Sequence, residues 1–151
     1  MRIKDFLSIN CVKLDLEKVR KEEHITEMVK ILIDTGKIKK TDTKKITEKL
    51  MDRERLGSTG IGAGVAIPHI KTNCISSTTG ALGVSSKGIE YDSLDGEPVY
   101  ISFLLLTPVD ATNEHLIAIS EISHFLKDRF YRDELRNVQN VKQAYKIINR
   151  V

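Results

Sequence analysis

His69 closes the segment Arg53-Glu54-Arg55-Leu56-Gly57-Ser58-Thr59-Gly60-Ile61-Gly62-Ala63-Gly64-Val65-Ala66-Ile67-Pro68-His69. A neutral imidazole is a competent nucleophile at phosphorus when an acceptor holds its other ring nitrogen in one tautomer. Pro68 fixes the backbone just ahead of the ring, so the imidazole is aimed. Val65-Ala66-Ile67 reads as a short strand that Pro68 ends, which puts His69 at a strand end, where α/β sheets display functional side chains. Gly57, Gly60, Gly62 and Gly64 allow the loop to turn N–H groups towards a phosphate, and Ser58 and Thr59 add hydroxyls. Arg53, at the end of the preceding helix, is a bidentate candidate for phosphate oxygens. The same composition also describes a glycine-rich turn with a structural histidine behind it. It is not a P-loop, because no Gly-Lys-Ser/Thr follows.

His115 is the second candidate. It lies near a helix start and in register with Ile119, Ile122 and Leu126, at i, i+4, i+7 and i+11. That register turns it to the sheet at the helix N-terminus, where free N–H groups favour an anion and disfavour an imidazolium. Packing against the sheet is the alternative use of the same position. His24 falls beside an apolar stripe and His124 off one, so both are expected to be solvated. No His-x-x-x-His or Cys-x-x-Cys spacing exists and no third ligand can be nominated, so no metal site is expected. A serine-hydrolase elbow, Gly-x-Ser-x-Gly, is absent too.

The elements that must position these residues alternate along the chain. Residues 22–35 place Ile25, Met28, Val29, Leu32 and Ile33 on one helical stripe stopped by Gly36. A second helix starts within Thr41-Asp42-Thr43 and runs through Ile46 and Leu50 towards Glu54. After the 65–67 strand, Gly80 to Val84 reads as another, Leu94-Asp95-Gly96-Glu97 as a turn, and Val99 to Leu106 as a central strand. Helices follow over 114–127 and 140–149. The pattern predicts one α/β or α+β sandwich domain over residues 1–151.

Composition narrows the function further. The chain has 151 residues, 40% hydrophobic and 30% charged, enough for one core built mainly of Ile, Leu and Val. No apolar run approaches the ~20 residues of a bilayer span, and no secretory signal opens the chain, so a cytoplasmic protein without membrane insertion is expected. Cys11 and Cys74 then read as buried or incidental thiols. The net charge of +3 is a small excess of 24 basic over 21 acidic residues. Lys37-Ile38-Lys39-Lys40 and Lys44-Lys45 carry no interleaved aromatics, so a solvated helix face explains them and a nucleic-acid groove does not.

The run from Arg53 to His69 closely resembles the active-site signature of the type 2 IIA domains, the fructose, mannitol and nitrogen-regulatory IIA proteins of the bacterial phosphoenolpyruvate-dependent phosphotransferase system. Leu94-Asp95-Gly96-Glu97-Pro98-Val99 and Asn113-Glu114-His115-Leu116 resemble the family's second-histidine region. The resemblance implies a mixed sheet of about five strands flanked by helices. It implies a phosphocarrier component that needs no cofactor. His69 would accept the phosphoryl group from phospho-HPr, with His115 as the neighbouring histidine and Arg53 beside the phosphate. The Arg-Leu-Gly-Ser-Thr-Gly-Ile-Gly wording is most like the nitrogen-regulatory and fructose branches. A regulatory IIA acting on a target protein is the preferred reading, and a sugar-uptake IIA relaying to a IIB component is the alternative. Two departures stand out. Ile70 follows His69 where relatives usually carry Gly or Ala, and is expected to narrow the donor's approach. The basic excess also suits a positively charged HPr poorly.

Overall fold

A computed structural model of the chain describes residues 1–150. In chain order the elements are β1 (Val12–Lys13), α1 (Lys21–Asp34), α2 (Thr43–Arg55), β2 (Gly60–Gly62), β3 (Val65–Ala66), β4 (His69–Thr72), β5 (Thr79–Ile89), β6 (Val99–Pro108), α3 (Thr112–Lys127), α4 (Arg129–Asn137) and α5 (Val141–Asn149). The sheet runs β1-β5-β6-β3-β2, with β4 also paired to β6. β5 and β6 are antiparallel, whereas β3 and β4 both run parallel to β6. This is the mixed α/β sheet expected. It has six strands, with Pro68 dividing the strand beside β6 into two: Val65 pairs with Ile101 and His69 with Leu105, in continuous register.

That division corrects one expectation. His69 does not follow a terminated strand; it begins β4. Ile70 and Thr72 are buried and Lys71 is exposed, the two-residue alternation of a half-buried strand. The Pro68 carbonyl accepts from the Leu105 amide at 2.9 Å, so pairing passes through the proline without a break. β5 likewise runs five residues beyond Val84.

Alternation along β6 assigns its two faces. Ser102 bonds His24 of α1, and its partner Gly83 lies against Met28 of the same helix. Phe103 points the other way, to the N-terminal Phe6 at a ring separation of 6.0 Å. α1 and α2 pack on each other and on β5 and β4, and α3, α4 and α5 form a second group against β6, β5 and β1. One hydrophobic cluster extends from Ile3 to Ile148.

The helices follow their sequence signals. α5 is capped by Asn140, whose side chain accepts from the Gln143 amide, and α4 by Asp128, which accepts from Phe130. α4 lies outside the helices read from the sequence; at nine residues its inward stripe is short, with Tyr131 packed against the core and Leu135 buried one turn later. His124 is exposed as expected, and Cys11 and Cys74 are free thiols. His24 is a correction: it is 0% exposed, because His24, Met28 and Ile31 share a face at i, i+4, i+7. Its Nε2 lies 2.7 Å from Ser102 Oγ, and its Nδ1 has no partner among the described residues. No helix of the described residues is long and apolar enough to cross a membrane.

Candidate functional site

His69 and Lys71 share their face of β4 with Leu105 and Thr107, their β6 partners. That is the face on which α3 lies. Thr107 is fully buried and its hydroxyl bonds His115 Nδ1, which seats the second histidine beside the first. The two rings are 5.5 Å apart, inclined by 54°. α3 starts two residues earlier than expected, so the His115 amide is already used, bonded to the Ala111 carbonyl at 2.9 Å. Its helix start is held by Glu114, which accepts from the Thr78 hydroxyl.

The ring of His69 is fixed by its own turn. Nδ1 lies 2.7 Å from the Ile67 carbonyl, an acceptor only, so Nδ1 carries the proton. Nε2 is then the lone-pair nitrogen, and no described residue bonds it. Burial lowers the His69 pKa from its usual value; the Ile67 hydrogen bond opposes this, and the Arg53 charge adds to it. His115 is driven down to about 4, first by burial, then by the charges of His69 and Lys71. Both rings are therefore neutral near pH 7. One ring holds a fixed lone-pair nitrogen at the cleft; the other is a neutral neighbour that adds no second positive charge.

Arg53, in the last turn of α2, lines the same cleft and donates through Nη1 to the Gly57 carbonyl at 2.9 Å. Lys49, one helical turn earlier, and Lys71, two residues beyond His69, line it as well. Against them stands Asp52, so the cleft holds three cations and one anion. The two lysines were missed in the sequence, although their spacings, i−4 from Arg53 on a helix and i+2 from His69 on a strand, signal shared faces. The rim is apolar: Leu56 is 85% exposed and Leu116 61%. Ile70 lines the cleft's edge but is only 6% exposed, so most of its bulk lies in the core.

The glycine-rich loop is placed otherwise than expected. Ser58, Thr59, Gly60, Gly62 and Gly64 do not line the cleft. The Thr59 amide donates to Glu54 Oε1, the Gly60 amide to Ser58 Oγ, and the Ala63 amide to Asp95 Oδ2. The Ser58 hydroxyl donates to the Tyr91 carbonyl, and Thr59 is buried against Glu54 and Tyr91. These donors are occupied within the protein. The glycines serve the backbone instead: Gly62 and Gly64 take φ of 100° and 77° in the tight β2–β3 turn. Among the described residues no group of three or more metal-ligating side chains occurs.

Similarity to known proteins follows the geometry. Residues 5–151 match the family described as phosphoenolpyruvate-dependent sugar phosphotransferase system, EIIA 2. The chain is 37% identical over 149 residues to the fructose-specific EIIABC component of Bacillus subtilis, covering 99% of this chain and 23% of that protein. It is 39% identical over 107 residues to a nitrogen regulatory protein of Pseudomonas aeruginosa, covering 71% of this chain and 70% of the relative. The crystal structure of the nitrogen regulatory protein IIA-Ntr from Neisseria meningitidis superposes with a TM-score of 0.87 at 31% identity, over 97% of this chain and 98% of that one.

Proposed function

We propose that this chain, which belongs to the EIIA 2 family of the phosphoenolpyruvate-dependent sugar phosphotransferase system, carries a phosphoryl group on His69 Nε2. The donor is phospho-HPr. The observation that carries this reading is the Nδ1–H bond to the Ile67 carbonyl, which leaves one nucleophilic nitrogen beside three cations. In the transfer, the Nε2 lone pair forms the new bond to phosphorus. The bond from phosphorus to the donor breaks, and its electron pair returns to the donor nitrogen. The proton stays on Nδ1 throughout, donated to the Ile67 carbonyl. Arg53, Lys49 and Lys71 offset the charge on the phosphoryl oxygens, which is most of what such a transfer asks of a protein.

The Thr107 hydroxyl can donate to Nδ1; His115 then carries its proton on Nε2 and can donate it to a phosphoryl oxygen while the ring stays neutral. His115→Ala is expected to accept phosphate yet pass it on about a hundredfold more slowly, the low end of what one oriented donor contributes. Single-turnover chase to an acceptor measures this, and onward transfer at the wild-type rate removes the role.

A regulatory use is favoured, since a phosphate adds about −1.5 to −2 charges at the centre of an apolar rim and changes which surface a target protein meets. The similarity to nitrogen regulatory proteins supports it. The second reading, relay to a IIB component in sugar uptake, is favoured by the match to a protein named as an EIIABC component. The test is incubation with phosphoenolpyruvate, Enzyme I and HPr. Acid-labile, base-stable phosphate on the peptide containing His69 is the result expected, and an unlabelled chain overturns the reading. Chasing that label with a fructose-specific IIB then separates the two uses: rapid loss supports uptake, and retention supports regulation.

A further inference from the structure

Behind the cleft lies a buried carboxylate that the transfer itself does not use. Glu54, the residue after Arg53, is 6% exposed and points into the protein. Its Oε1 accepts from the Thr59 amide at 3.0 Å and faces Lys21 Nζ of α1 at 2.9 Å, and its Oε2 accepts from the Thr59 hydroxyl. Two of these contacts come from one residue five positions along the chain. They close the segment between α2 and β2 into a ring.

Both reactive side chains hang from that ring. Gly57 lies inside it, and the Gly57 carbonyl holds the Arg53 guanidinium. The Thr59 carbonyl accepts from the Ile67 amide at 3.0 Å, and the Ile67 carbonyl in turn holds His69 Nδ1 at 2.7 Å. Two short paths therefore run from the same carboxylate, one to the phosphate-binding arginine and one to the nucleophile.

We propose that Glu54 is a positioning residue which, by fastening Thr59, sets Arg53 and the His69 tautomer in mutual register for phosphoryl transfer. The proposal rests on the reading of His69 as the acceptor. Lys21 offsets the charge of the buried carboxylate and α1 thereby supports the ring from behind; the reach of the carboxylate to Thr59 does the positioning. An intact ring holds the nucleophile and the cation before the donor arrives, so its loss lowers the turnover of bound donor and leaves docking at the rim untouched.

Two substitutions separate reach from charge. Glu54→Asp keeps the negative charge beside Lys21 but is one methylene too short to grip Thr59. Glu54→Gln keeps the reach and removes the charge. For Glu54→Asp, kcat for transfer from phospho-HPr is expected to fall about tenfold with KM unchanged. Ring ¹⁵N spectra of the unphosphorylated protein should then show His69 moving from a single Nδ1–H tautomer to a mixture. Glu54→Gln is expected to keep the single tautomer and turnover within about threefold of wild type. A single Nδ1–H tautomer in Glu54→Asp, or its loss in Glu54→Gln, overturns the proposal. The ring spectra need no donor, so they decide the role of Glu54 even if wild type takes no label, an outcome that refutes only the acceptor reading.

Discussion

His69→Gln is expected to lower phosphoryl uptake from phospho-HPr at least about 10³-fold, to background, because removing a nucleophile removes the covalent step itself. Glutamine is the informative replacement. Its amide N–H can still reach the Ile67 carbonyl, so the turn at Pro68 and the pairing of β4 with β6 remain. What it lacks is a lone-pair nitrogen with the basicity to attack phosphorus. The neighbouring ring is the one alternative acceptor within the cleft, only 5.5 Å away. It is a poor one: His115 is 8% exposed, its Nδ1 is tied to Thr107, and burial and the Lys71 charge, which the substitution leaves in place, both lower its basicity. Intact-protein mass after incubation with the phosphotransfer chain reads the outcome directly. Uptake of one phosphoryl group by His69→Gln at the wild-type rate would move the acceptor to His115 and reverse the two roles.

The site was legible where its signal is local. Pro68 and the short apolar strand single out His69, and the i+4, i+7, i+11 register of Ile119, Ile122 and Leu126 turns His115 to the sheet. What local signals cannot carry is the use to which a capable group is put. Four glycines and two hydroxyls describe a loop able to bind phosphate, yet its amides are taken by Asp95, more than thirty residues on, and by Glu54. The burial of His24 depends on Ser102, 78 residues away. A stripe drawn through the apolar residues of α1 places His24 beside it, although the helical period puts it above Met28. β4 escaped notice for a related reason. Proline ends a strand that needs its N–H, but here only the Pro68 carbonyl meets β6, so nothing interrupts the edge.

The same buried histidine makes the fold acid-sensitive above the range where carboxylates titrate. Burial lowers the His24 pKa from 6.5 to about 4, against the raising effects of Glu27 and Glu54. Above pH 6.5 His24 is neutral in both folded and unfolded chains, and its contribution to stability is fully present. As pH falls from 6.5 towards 4 the unfolded chain takes up a proton that the folded chain refuses, so stability is lost through that window. The full loss is about 3 kcal/mol, of which about 1.5 kcal/mol accrues between pH 6.5 and 5. His115 and His69, whose pKa values are lowered as well, act in the same sense. Subtraction isolates His24: in urea unfolding at pH 7.5, 6.5, 5.5 and 5, His24→Gln should lose less stability on acidification than wild type by about 1.5 kcal/mol. The glutamine amide can donate to or accept from Ser102 Oγ and is not protonated in this range, so the difference reports the proton and not the hydrogen bond. Identical pH dependence in the two proteins would mean that the folded state accommodates an imidazolium at this position. The core around Tyr91 and Ser102 would then have to admit water or rearrange, which its present packing, with His24 at 0% exposure, does not allow.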